Sequence, residues 1–322
     1  MTLTLADLCA SPDHYLHSLD GETAVFVPMD RAAYHRSIFL DARIMPAAEG
    51  SMRVPVAAFD GVDMPIQPTA WIFHVAHCGS TLLARALDQL SGNLVLREPL
   101  ALRQCAISAD AARLPIVTAM LGKRYQSDLL TIVKANVPVN FLLPELAVMA
   151  PHAPAIFLHL GLRDYLSAIL RSDNHRAWLR RVTTLLASHL GDMTGWPDAD
   201  RAAALWLAQT ERFAVALEQM PQARSLDAEI FFTAPAPVLA ATARLFRMPL
   251  DDADSDAIAG GALFTRYSKD PTVQFDNNAR LARRATIETA LADELAAAQR
   301  WIERQPGATP AAAILAGAAL IN

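Results

Sequence analysis

Cysteine is scarce, with three in 322 residues, at Cys9, Cys78 and Cys105. An odd, widely spaced set argues against a disulfide framework, and without a CxxC pair there is no zinc signature. Lysine is just as rare. Of 28 basic residues only Lys123, Lys134 and Lys269 are lysine, and the rest are arginine. A compact ammonium is therefore kept at few places, either where the chemistry requires one or as a survivor of codon bias. No run of Lys or Arg is long enough for general nucleic-acid binding, RAWLRRV at 176–182 being the densest, and the formal net charge is −5. No apolar run reaches the roughly 18 residues of a membrane span, so no transmembrane segment is expected. The tail PAAAILAGAALIN at 310–322 reads instead as a docked helix. No basic start followed by an apolar stretch marks a signal peptide, which makes a cytoplasmic location the expectation. No HExxH and no carboxylate cluster points to a metal.

What is present is apolar material, at 53% hydrophobic and 19% charged, ample for a large core. LADLCASPDHYLHSL reads as helix, AVFVPM and SIFLDARIM as strands, and EGSMRVPVAAFDG as a loop entering or leaving a third strand. From residue 71 the pattern alternates. WIFHVA, NLVLRE, LLTIVKA, APAIFLHL and ARSLDAEIFF read as strands, separated by amphipathic helical stretches, with helices dominating 176–220. FTRYSKDPTVQFDNN reads as a polar loop before a last long helix. This alternation predicts an α/β fold, a parallel β-sheet flanked by helices on both faces, with helical elaborations. Residues 1–65 form an N-terminal elaboration packed on a core domain spanning 66–322. In such sheets ligands sit beyond the carboxyl ends of the strands, where this chain carries His77 to Thr81, Glu98, Lys134 with Asn136, and Arg163 with Asp164.

The stretch AHCGST, followed by LLARALDQL, has the strand–turn–helix build of a phosphate loop. Gly79 lets backbone approach closely, Ser80 and Thr81 add hydroxyls, and N–H groups at a helix start favour an anion. Taken alone it is equally an ordinary glycine turn with a helix cap. The lysine that follows the last glycine of a nucleotide-kinase loop is absent, which argues against transfer of an ATP γ-phosphate.

AHCGSTLL resembles the 5′-phosphosulfate loop of the sulfotransferases that use 3′-phosphoadenosine 5′-phosphosulfate (PAPS), written PKSGTTWL or PRSGTTLM. Gly79, Ser80 and Thr81 match, His77 stands where the family has Lys or Arg, and Cys78 where it usually has Ser. Glu98 follows Gly79 by 19 residues, the spacing of the base glutamate in tyrosylprotein sulfotransferases. IVKANVP resembles the family's KTHLP segment, with Lys134 on its lysine and Asn136 on its catalytic histidine. LGLRDYLSAILRS resembles the 3′-phosphate motif, in which Arg163 matches and either Ser167 or Ser172 takes the serine's part. Arg266 and Lys269 fall in the place of the late basic loop. The resemblance runs over about residues 71–285 and implies a P-loop NTPase-like sulfotransferase fold.

The function it implies is transfer of a sulfuryl group to a hydroxyl or amine of an unidentified acceptor, with no metal. Glu98 would be the base, Lys134, His77 and Asn136 the other catalytic groups, and Cys78 to Leu82 the phosphosulfate cradle. Two other readings stay open: an ATP-dependent kinase with an atypical loop, and a non-catalytic nucleotide- or protein-binding descendant of the fold. Glu98 as an ion pair with an arginine, and Lys134 as a strand-end lysine in water, are the plainer alternatives for those two residues. The oligomeric state and the acceptor are not written in the sequence.

Overall fold

The computed structural model describes residues 3–64, 66–90, 92–108, 110–267 and 270–321. Ten strands are present among them. β1 (His14–Asp20), β2 (Thr23–Pro28) and β3 (Met52–Pro55) form an antiparallel sheet. β4 (Thr69–His74), β5 (Val95–Arg97), β6 (Thr131–Lys134), β7 (Ala155–His159) and β8 (Ala223–Asp227) form a parallel sheet in the order β5-β6-β4-β7-β8. β9 (Arg266–Tyr267) pairs antiparallel with β10 (Asp270–Gln274). Every residue of β4 is buried, and strand side chains alternate between faces, so helices must cover the central sheet on both sides.

β4 leads toward β5 on one side and β7 toward β8 on the other. The crevice between the carboxyl ends of β4 and β7 is thus the point where strand order reverses, the place such sheets reserve for ligands. Pairing of Ile72 with both Lys134 and Ile156 fixes the heights of the flanking strands, so β6 ends beside the loop that follows β4. Phe73 stacks on Phe157, which stacks on Phe213, with centroids 5.4 and 4.9 Å apart, locking β4 and β7 to the long helix Asp198–Gln219. The tail does form a docked helix, Ala308–Gly317, against that same helix.

One hydrophobic core runs through the N-terminal sheet and the parallel sheet. Three polar clamps join them. Gln104 closes a double hydrogen bond with the backbone of Leu19 at 2.8 and 2.7 Å. Arg97, buried at the end of β5, donates to the carbonyls of Tyr34, His35 and Ser37 and to Asp88 at 2.6 Å. Lys123, also buried, donates to the carbonyls of Leu8 at 2.9 Å and of His14.

Three expectations need correction. The first helix stops at Ala10, because Pro12 disfavours continuation, and residues 14–20 become β1. SIFLDARIM is not a strand. Leu40 N bonds the Arg97 carbonyl at 2.7 Å, the Ser37 carbonyl is taken by Arg97, and Asp41 turns the chain by accepting from Arg43 N at 3.0 Å. The predicted fifth strand ends at Asp227, which caps the helix Ala228–Thr233 by accepting from Glu229 N at 2.9 Å.

Burial lowers the pKa of Lys123 from 10.5 to about 7, against weaker opposing fields of Cys9 and Asp13. Between those values the unfolded chain holds a proton that the folded chain has released, so this group makes stability rise with pH across that window. Urea unfolding at pH 7 and pH 9.5 is expected to show the wild type gaining stability relative to Lys123→Met as pH rises. Parallel pH dependences for the two proteins would refute the assignment.

Candidate functional site

Beyond β4 the chain winds through Ala76 (φ 77°), His77 (φ 52°) and Gly79 (φ 79°) before the helix Ser80–Leu87 begins. Left-handed backbone is costly for alanine and histidine. Of the four non-glycine residues with positive φ among those described, Ala76, His77 and Glu98 all line one cleft, where such strain tends to gather. Gly79 is required twice over, because a Cβ there would also lie 2.8 Å from the Phe232 ring. Ala76 N donates to His74 Nδ1 at 3.0 Å, and Cys78 turns its Sγ inward toward the Leu158 carbonyl at 3.8 Å.

The N–H groups of Ser80, Thr81 and Leu82 fall in the helix's first turn, where no intrahelical partner exists. Thr81 is 2% exposed, and its hydroxyl has no hydrogen-bond partner among the described residues. Asn136, 8% exposed, likewise leaves Oδ1 unpartnered across the same cleft. A buried polar atom without a partner calls for an explanation, and these two stand at one cleft. The cleft encloses about 530 Å³.

Glu98 and Lys134 meet here. Glu98 N continues the ladder to the Lys134 carbonyl at 2.8 Å, and the Lys134 ammonium bonds Glu98 Oε1. The Lys134 side chain is 1% exposed and that of Glu98 17%, so neither is a strand-end charge in water. The left-handed conformation of Glu98 turns its side chain into the cleft while Arg97, one residue earlier, faces the end of the helix Arg31–Arg36. His77 packs its ring 4.4 Å from that of His175 and edge-on at 5.5 Å to Trp178.

The presumptive 3′-phosphate residues are scattered. Arg163 projects outward, its side chain 65% exposed and its Nε 2.7 Å from Glu288. Ser172 caps the helix Asp173–Leu185 and bonds His175 Nδ1 at 2.6 Å. Ser167 bonds the Arg163 carbonyl at 2.9 Å and lines a smaller recess beside His77, together with Arg171, Arg280 and Arg283. Arg266 lines the main cleft. Lys269 lies outside the described residues.

Several cleft residues carried no signal in the sequence. Arg171 donates to His175 Nε2 at 3.0 Å. Arg280 forms a two-bond fork with Glu229 at 2.7 Å and lies 4.3 Å over the Phe232 ring. Phe39, Asp41 and Arg43 come from the N-terminal region, and Arg103 from the helix Leu100–Ser108. Trp178, Arg181, Val182 and Leu185 form one face of the helix Asp173–Leu185. Of these, the sequence offers Trp178 and Leu185, as apolar residues of helices that could wall an acceptor or equally be core. Among the described residues no group of His, Cys, Asp or Glu is arranged to hold a metal, and no helix is long and apolar enough to cross a membrane.

Because Lys134 is sealed against Glu98, removal of one partner strands the other's charge. Glu98→Gln and Lys134→Met are each expected to destabilise the fold, and the double variant less than their sum, with a coupling of about 1–3 kcal/mol. A double-mutant cycle by chemical denaturation measures it, and additive effects would show the pair is not coupled.

No protein-family model and no curated protein sequence matches the chain. Among solved structures it is similar to the sulfotransferase domain from the curacin biosynthetic pathway, at 13% identity and TM-score 0.45, over 79% of this chain and 98% of that one. It is also similar to a sulfotransferase from Alicyclobacillus acidocaldarius, at 12% identity and TM-score 0.42, over 74% and 97% of the two chains. At these identities and TM-scores the functional reading rests on the cleft's own residues.

Proposed function

We propose that the cleft transfers a sulfuryl group from PAPS to a hydroxyl. The observation that carries this is the buried, unpartnered Thr81 hydroxyl at a helix start, in the cleft that Glu98 lines with Lys134 bonded to it. The N–H groups of Ser80 to Leu82 and the Thr81 hydroxyl hold the phosphosulfate oxygens, helped by the helix dipole. Glu98 accepts the acceptor's hydroxyl proton as the acceptor oxygen bonds to sulfur and the bond from sulfur to the bridging phosphate oxygen breaks. Lys134 has three N–H donors and gives one to Glu98, leaving two for charge developing on that leaving oxygen. Arg171, with Ser167, holds the 3′-phosphate in the recess beside His77, where Arg283 adds positive field. Arg163 is held away by Glu288.

Calorimetric titration with adenosine 3′,5′-bisphosphate, with ATP–magnesium and 5′-AMP in parallel, tests the reading. The bisphosphate is expected to bind tightest, and Thr81→Val and Arg171→Ala each to weaken it by about tenfold or more. Preference for ATP with magnesium would sink the proposal in favour of phosphoryl transfer.

His77 occupies the place where the resemblance puts Lys or Arg. In a transfer assay with PAPS, His77→Arg is expected to keep more activity than His77→Ala. Equal, undiminished rates in both variants would remove His77 from the mechanism.

A further inference from the structure

The cleft's charges divide into two groups. On the side of Glu98, Lys134 is neutralised by Glu98. Arg43 is neutralised by Asp41, through Nε at 2.9 Å and Nη2 at 2.6 Å, while its guanidinium lies 3.8 Å over the Phe39 ring. Burial raises the Asp41 carboxyl, yet the Arg43 hydrogen bonds and the fields of Arg43 and Arg103 bring it below its ordinary value, so the aspartate stays ionised. Arg103 is left over. It is half-buried, its side chain makes no hydrogen bond or ion pair among the described residues, and it lines the cleft. Its carboxylate neighbour, Asp41, already has both oxygens bonded to Arg43, and a guanidinium withdrawn from water without a hydrogen-bonded carboxylate is unfavourable unless a ligand completes it.

Position says what that ligand is. Glu98 and Arg103 are five residues apart, and Arg103 N closes the first helical turn onto the Pro99 carbonyl at 3.2 Å. Both side chains line the same cleft, where a single molecule can meet both. The same cleft has apolar lining, Phe39 from the N-terminal region and Trp178, Val182 and Leu185 from the helix Asp173–Leu185. Resting on the transfer reaction proposed above, we propose that the acceptor is a small hydroxy acid. Its hydroxyl lies at Glu98, its apolar body lies between Phe39 and Trp178, and its carboxylate is received by Arg103. A planar fork with one charge matches a carboxylate in both geometry and charge. Arg181, exposed at the rim, adds attraction for an anion on approach without holding it. Arg103 is thus a specificity-determining residue for the acceptor and not part of the nucleotide site.

The test uses two scaffolds, 4-hydroxyphenylacetate and 3-hydroxyoctanoate, each against its amide. All four are titrated calorimetrically into wild type and Arg103→Ala, with saturating adenosine 3′,5′-bisphosphate and again without nucleotide. In at least one pair the acid is expected to bind wild type at least about tenfold more tightly than the amide, as for a charge-assisted pair. That preference should vanish in Arg103→Ala while the bisphosphate affinity and the unfolding midpoint hold. With PAPS, the preferred acid should also be sulfated faster than its amide. No preference in either pair, a preference that survives Arg103→Ala, or a bisphosphate affinity that falls with Arg103 would each overturn the inference and leave the transfer reaction standing. Failure of wild type to bind the bisphosphate at all would overturn the transfer reaction, and with it the acceptor role, even if Arg103 still favoured the acids.

Discussion

The guanidinium of Arg97 sits where water cannot reach it, and the rest of the site follows from how it is satisfied. A buried arginine needs its five N–H donors met, or the desolvation cost goes unanswered. Here the carbonyls of Tyr34, His35 and Ser37 and the carboxylate of Asp88 meet them. The three carbonyls come from the end of the helix Arg31–Arg36 and its cap Ser37, where no intrahelical donor takes them, and the turns that follow bring Phe39, Asp41 and Arg43 into the cleft. The same strand end then reverses hand at Glu98 (φ 58°), so consecutive side chains serve a structural clamp and a reactive cleft. Fold stability and site geometry are thereby joined at one dipeptide.

That junction also marks the limit of what the sequence discloses. Apolar runs of four to six residues between amphipathic stretches sufficed for the parallel sheet, because strands buried on both faces are read from local composition. The loop before Ser80 was legible for a similar reason: glycine and hydroxyl residues at a strand–helix turn are a local signature. Glu98 and Lys134 were each singled out, but their ion pair depends on the β5–β6 register, which no local pattern encodes. SIFLDARIM looks like a strand by propensity and is overruled by a contact with a residue some 60 positions later, the separation of the Ser37–Arg97 bond. Arg163 illustrates the converse. Its place in the sequence points to a phosphate, whereas the carboxylate of Glu288, 125 residues on, holds its guanidinium on the outer surface.

The arginines of this chain are mostly held by partners, and those partners decide which of them can meet a ligand. Arg280 is forked onto Glu229, Arg284 reaches Asp164 at 2.7 Å, and Arg176 grips Glu294 with two bonds of 2.8 Å. Such pairs fix the positions of the helices Asn277–Ala290 and Ala292–Glu303 against the recess wall, but they subtract from its field. A count of basic residues in a motif therefore says little, and the distribution of carboxylates opposite them says more. By that measure the recess keeps its positive field at Arg171 and Arg283, and the Glu98 side keeps it at Arg103.

The loop's missing lysine has an answer in the same terms. A kinase loop delivers its ammonium from the helix that the loop opens, one residue past the last glycine. In this chain that position is Ser80, so no lysine arises from the helix that the turn opens. The parallel register offers another route. Ile72 in β4 is level with Lys134 in β6, so the side chain ending β6 stands beside the turn that follows β4. A lysine delivered from a neighbouring strand is held by sheet hydrogen bonds rather than by a loop, and burial together with Glu98 keeps its ammonium in one place. On the transfer reaction proposed above, a cation held at Glu98 is better matched to charge appearing on an oxygen between donor and acceptor than to the resting charge of a nucleotide's terminal phosphate.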